Sequence, residues 1–245
     1  MKTTDRWYSE RLGREVTCVR WGVFGVPFLI FPTAGGDAEE IERFHVVDTL
    51  RPELEAGRLK IYSCDSIAGR AMLTQEGSPQ HRMRLLDEFL NYVGHELAPA
   101  IRTDCRSEDI GILVGGSSIG AFNALAAICR FPETFTHALC MSGTYDLERF
   151  LEAPVTREFY HASPLHHLPA LEGPQMERLR ERFVLLASGE GRAEDIGESW
   201  RVAEVLGRMG VPNRVDSWGP DWPHDWPTWR AMLRKYIDDL LPPES

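Results

Sequence analysis

The stretch from Asp109 to Ile128, DIGILVGGSSIGAFNALAAI, restricts the fold more than any other part of this chain. Ile110 to Val114 is a short apolar run with β-branched residues, which suits a buried strand. The Ala/Leu-rich segment after Gly120 has helical spacing. Only Gly115 to Gly120 lie between them, so the chain must pass from strand to helix through one tight turn. That turn spells G-x-S-x-G, with Gly116, Ser117, Ser118, Ile119 and Gly120 in its five positions. A strained strand-to-helix turn needs close neighbours without side chains, and it lifts the hydroxyl of Ser118 above the sheet edge. Ser117 occupies an x position and is expected to point elsewhere. The competing reading is a phosphate-binding turn, but neither G-x-x-x-x-G-K-[ST] nor G-x-G-x-x-G is present.

The same strand-then-helix pattern recurs along the chain. Glu15 to Trp21 alternates with period 2 and reads as a strand, Gly22 to Gly25 as a hairpin turn, and Val26 to Phe31 as a central strand. Trp7 to Leu12 is a candidate edge strand paired with that central strand. Glu39 to Leu50 reads as a helix, Arg58 to Asp65 as a strand, and Ser66 to Gly77 as a loop. Arg82 to Leu97 has helical spacing at Leu86, Phe89, Leu90, Val93 and Leu97. Thr136 to Ser142, Arg182 to Ser188 and Val211 to Trp218 read as strands. Trp200 to Met209 and Thr228 to Leu241 read as helices. Glu148 to Pro174 is broken by Pro154, Pro164, Pro169 and Pro174, so loops or short helices are expected there rather than a second domain. Alternating strands and helices predict an α/β fold: one domain over residues 1–245, a mostly parallel central sheet, helices on both faces and no large cap domain. A length of 245 residues suits a single such domain.

Composition narrows the functional classes. The formal net charge is −10, and an acidic surface argues against nucleic acid or an anionic membrane as partner. No apolar run is long enough to span a bilayer. The start, MKTTDRWYSERLG, lacks the apolar region of a signal peptide, so a cytoplasmic location is expected. Cys18, Cys64, Cys105, Cys129 and Cys140 are scattered, odd in number and form no C-x-x-C pair, which fits reduced thiols, with Cys64 and Cys140 in strands. His161, His166 and His167 form a cluster without a carboxylate or cysteine at ligand spacing, so no metal is expected.

Ligands of such sheets bind where the strands end. The turn at Ser118, the loop Thr33 to Gly36, the acidic loop Gly189 to Asp195 and the loop around His224 all follow strands and are expected at one rim. The chain order is then serine, acid, histidine. Ser118 is the candidate nucleophile. His224, the only histidine after the acidic loop, is the candidate base that takes the serine proton and returns it to the leaving group. The acid is Asp195 as first choice and Glu194 as second, with Glu190 also near the strand end; spacing alone leaves the three open. The N–H of Ile119, together with that of Ala34 or Gly35, is placed to stabilise an oxyanion. Asp146 could serve as a displaced acid but reads better as a helix N-cap. Tyr145 and Trp222 are candidate substrate-binding residues, and Tyr160 and Trp226 could add to an aromatic pocket.

Taken together, GGSSIGAFNALAA around Ser118, HDWPTW at His224 and SGEGRAEDIGESW around the acid resemble the putative-esterase family of α/β-hydrolases, which includes esterase D, feruloyl esterases and the mycolyltransferases. The resemblance runs from Glu15 to the last helix. It implies the α/β-hydrolase fold without a cap, a serine acyl-enzyme mechanism and no cofactor. The GGD segment after Ala34 resembles the family's oxyanion loop, although the His-Gly-rich spelling of many esterases is absent. The expected function is hydrolysis of a small-molecule carboxylic ester or thioester with a small or exposed acyl group. The alternatives are an acyltransferase of the same fold and a hydrolase-fold binding module without activity. A homo-oligomer stays open.

Overall fold

In a computed structural model that describes residues 1–241, eight strands form one sheet: β1 (Lys2–Ser9), β2 (Arg14–Trp21), β3 (Val26–Phe31), β4 (Leu59–Cys64), β5 (Ile112–Ser117), β6 (Phe135–Met141), β7 (Phe183–Ser188) and β8 (Asn213–Ser217). Their order in the sheet is β1-β2-β4-β3-β5-β6-β7-β8. β1 runs antiparallel to β2 and β2 antiparallel to β4, while every later pair is parallel. The sheet is therefore mostly parallel, as the alternation of elements requires.

The strand residues divide by parity because successive side chains leave a strand on opposite faces. Leu29 and Phe31 of β3, Ile112 and Val114 of β5, and Val184 and Leu186 of β7 join one core. That core also takes in Phe89 from the helix Pro79–Tyr92, Phe122 and Leu125 from the helix Ile119–Arg130, and Val202 and Leu206 from the helix Ile196–Arg208. Phe28, Ile30, Leu113 and Leu185 join the opposite core with Ile41, Leu50, and Met232 and Tyr236 of the helix Trp226–Leu240. The central strands β3, β5 and β7 are buried along nearly their whole length because both of their faces are covered, whereas the edge strands β1 and β8 carry polar and exposed residues.

Four expectations need correction. Gly22 to Gly25 does not close a hairpin, because β4 lies between β2 and β3. The edge strand is Lys2–Ser9 rather than Trp7 to Leu12, and it pairs with β2, not with the central strand. Glu39 to Leu50 is two short helices, Glu40–Arg43 and Val46–Thr49, separated where His45 takes a left-handed φ of 62°. Ser66 to Gly77 contains a helix, Ile67–Leu73, five of whose residues are buried despite its weak periodicity. The segment after β6 consists of short helices, among them Arg157–Ala162 and Pro164–His167. Cys18, Cys64, Cys129 and Cys140 are buried free thiols, and Cys105 is partly exposed.

Candidate active site

The turn between β5 and the helix Ile119–Arg130 places Ser118 at φ 58°, ψ −124°, a conformation few residues with side chains adopt. Its glycines are required by contact. A Cβ on Gly116 would lie 2.5 Å from the carbonyl carbon of Gly120, and one on Gly120 would lie 2.6 Å from the oxygen of Phe31. The second contact also brings the chain leaving β3 against the turn. The N–H of Ser118 donates to the oxygen of Met141 at 3.1 Å, tying the turn to the end of β6. Ser117 is the last, buried residue of β5.

The loop after β3 is held at both ends. Glu40, 6% exposed, accepts the Thr33 N–H at 2.7 Å and the Thr33 hydroxyl at 2.8 Å. Burial pushes the Glu40 carboxyl up from its ordinary range, while both Thr33 hydrogen bonds pull it back. Gly36 donates to the Thr33 carbonyl at 3.0 Å, and its own oxygen accepts from Arg70 at 3.1 Å. Between these anchors, the N–H groups of Ala34 and Gly35 donate to no group among the described residues, and neither does that of Ile119. Free backbone donors are what a developing oxyanion needs.

The three acidic candidates separate clearly. Glu194 has a side chain 1% exposed, and its Oε1 lies 3.6 Å from Nδ1 of His224. The Ser142 hydroxyl donates to that same oxygen at 2.6 Å, and the Ser188 hydroxyl lies 3.1 Å from Oε2. Asp195, the first choice from sequence, turns instead to its own helix: its Oδ1 accepts the Gly197 N–H at 3.0 Å as the N-cap of Ile196–Arg208. The sequence carried that signal, since Asp195 followed by Glu198 ahead of an apolar face is a helix-start pattern. Glu190 accepts from the Ser217 hydroxyl of β8. Asp146 pairs with Arg201 at 2.9 Å.

The acidic loop and the histidine loop are joined by their backbones. Glu190 donates to Gly219 O at 2.9 Å, Gly191 to Trp222 O at 3.1 Å and His224 to Arg192 O at 3.0 Å. The His224 ring packs edge-on against Trp229 with centroids 5.0 Å apart. Ser118 is thus bonded to Met141, the neighbouring Ser142 is bonded to Glu194, and Glu194 faces His224. The nucleophile, acid and base candidates share one rim.

The aromatic candidates are engaged in packing contacts. Tyr145 is 1% exposed and belongs to the core, so it is a packing residue and not the wall of an open pocket. Trp222 packs edge-on against Trp218 at 4.7 Å and serves the loop junction through its carbonyl. Trp226 stacks on Phe44 at 4.5 Å, and Tyr160 packs against His161. His166 bonds to Ser163 and Glu148, while His167 is buried with Nδ1 against the Ser163 carbonyl. Ser142 and Ser188 escaped the sequence reading because strand-terminal serines carry no pattern of their own.

This sheet order, with a strained serine turn after β5, an acid after β7 and a histidine after β8, defines an α/β-hydrolase. Among solved structures, the chain is similar to a ferulic acid esterase with a TM-score of 0.74 at 17% identity, covering 98% of this chain and 96% of that one. It is similar to an S-formylglutathione hydrolase from Agrobacterium tumefaciens with a TM-score of 0.72 at 13% identity, covering 97% and 93%. The enterobactin esterase of Shigella flexneri matches with a TM-score of 0.65 at 19% identity, covering 98% of this chain and 59% of that one. No curated protein sequence matches the chain. The family model described as putative esterase matches residues 69–239, and the chain belongs to that family of carboxylic-ester hydrolases.

Proposed function

We propose that the chain hydrolyses esters through a Ser118–His224–Glu194 triad and an acyl-enzyme. The observation that carries this reading is the buried Glu194 carboxylate facing His224 Nδ1 at 3.6 Å, on the rim where Ser118 stands. In the first half-reaction the Ser118 oxygen attacks the ester carbonyl carbon and its proton passes to Nε2 of His224. Glu194 holds the proton of Nδ1, which fixes the tautomer that leaves Nε2 free to accept, and it stabilises the imidazolium that forms. The carbonyl oxygen becomes an oxyanion and takes hydrogen bonds from Ile119 N–H and from Ala34 or Gly35. Collapse breaks the bond to the leaving alcohol or thiol, which takes the proton from His224. Water then repeats the sequence on the acyl-Ser118 ester and releases the acid.

The substrate class is a small ester or thioester with a compact or exposed acyl group. It is supported by the short segments after β6 in place of a cap and by the exposed Leu73 beside Gly35. Ser118→Ala tests the reading. Turnover of p-nitrophenyl acetate and butyrate should fall by about 10³-fold or more while the melting temperature is kept. Unchanged turnover removes the serine mechanism.

A further inference from the structure

We infer that Ser142 is a positioning residue for the triad acid: its hydroxyl aims the Glu194 oxygen that faces His224. This rests on the Ser118–His224–Glu194 reading. Glu194 is buried, and among the described residues it is paired with no lysine or arginine; His224 is its one basic neighbour. A buried carboxylate must be satisfied by donors, and here these are two serine hydroxyls at the ends of adjacent strands. They are not equivalent. Ser188 Oγ has one proton and lies 3.0 Å from the Gly189 carbonyl as well as 3.1 Å from Glu194, so its donation is divided. Among the described residues, Ser142 Oγ has Glu194 as its only acceptor, at 2.6 Å, and binds the same Oε1 that faces the imidazole.

The backbone adds a second, independent observation. Ser142 is 3% exposed and holds φ 47°, a region glycine occupies far more readily, while its N–H is fixed to Ala187 O at 2.7 Å. Backbone strain of this kind clusters at functional sites. With Ser142 in place, one lone pair of Oε1 is committed and the carboxylate cannot rotate away from His224. Without it, the carboxylate loses its undivided donor and the imidazole its fixed orientation.

Ser142→Gly separates the hydroxyl from the strain, because glycine accepts φ 47° freely. The expected result is a kcat for p-nitrophenyl butyrate lowered roughly tenfold or more, with KM within about twofold and a melting temperature that does not fall. Ser142→Ala should show the same loss of kcat. A downfield His224 Nδ1 proton resonance is expected by NMR in the parent protein, and it should broaden or vanish in both variants. In a Glu194→Gln background, Ser142→Gly should cost less than about twofold, since its effect passes through the carboxylate. An unchanged kcat in Ser142→Gly, or an equal loss in both backgrounds, overturns the inference while leaving the triad intact. An unchanged kcat in Glu194→Gln alone removes the triad reading, and the inference falls with it.

Discussion

At the scale of the residue, two adjacent carboxylates with one backbone bond between their residues have opposite surroundings. Glu194 is sealed under Ser142, Ser188 and His224, whereas Asp195 is an exposed helix cap. Their substitutions should therefore separate cleanly. Glu194→Gln keeps the shape but removes the charge that stabilises the imidazolium, so kcat should fall by about 10²-fold to 10⁴-fold with the fold intact. Asp195→Asn keeps a capping oxygen, so kcat should stay within about twofold and stability within a few tenths of a kcal/mol. Steady-state kinetics and thermal melts of the pair decide the assignment; a larger kinetic loss in Asp195→Asn would reverse it.

At the scale of the element, the site depends on how two loops lock. The loop after β7 and the loop after β8 exchange backbone hydrogen bonds at such short range that side chains are excluded from their junction. A Cβ on Gly189 would lie 1.9 Å from the oxygen of Trp222, and one on Gly191 2.8 Å from that of Pro220. Gly189→Ala must push the loops apart. The expected cost is about 1–3 kcal/mol, read as a lower melting temperature, together with a reduced kcat because Glu194 and His224 ride on the separated loops. A Gly189→Ala protein with parental kcat would show that the junction does not position the site. The elements missed in the sequence share a cause. Ile67–Leu73 is short and packs Gly69 against Ala34, so tertiary contact and not periodicity makes it helical. Glu39 to Leu50 has a helical pattern, yet His45 breaks it.

At the scale of the whole molecule, the segment after β6 packs against the outer helices and buries a histidine. Burial pushes His167 down from 6.5 to about 4, while its hydrogen bond to the Ser163 carbonyl opposes the shift. The folded state therefore binds this proton more weakly than the unfolded chain does. The stability contributed is fully present above about pH 6.5 and is lost as pH falls toward 4, a total of up to ~3 kcal/mol. Carboxylates titrate over part of the same range, so the comparison must be with a variant. His167→Asn keeps a donor for Ser163 and does not ionise. Its melting temperature should fall less between pH 7 and pH 4.5 than that of the parent, and parallel curves would refute the assignment.

What the sequence by itself determined is what neighbours along the chain impose. The strand, tight turn and helix around Ser118 follow from apolar patterning and from glycines at two fixed offsets. The parallel sheet follows from alternating elements, and the candidate histidine follows from its order after the last strand. Tertiary structure alone decided that β4 separates β2 from β3, that Glu194 meets His224, and that Ser142 supplies the carboxylate with a hydrogen bond; that Asp195 serves as a helix cap was already legible in its spacing to Glu198. The β2–β4 pairing joins residues 40 to 46 positions apart, and Glu194 meets His224 and Ser142 from 30 and 52 positions away; no periodicity in a single segment encodes contacts of that range.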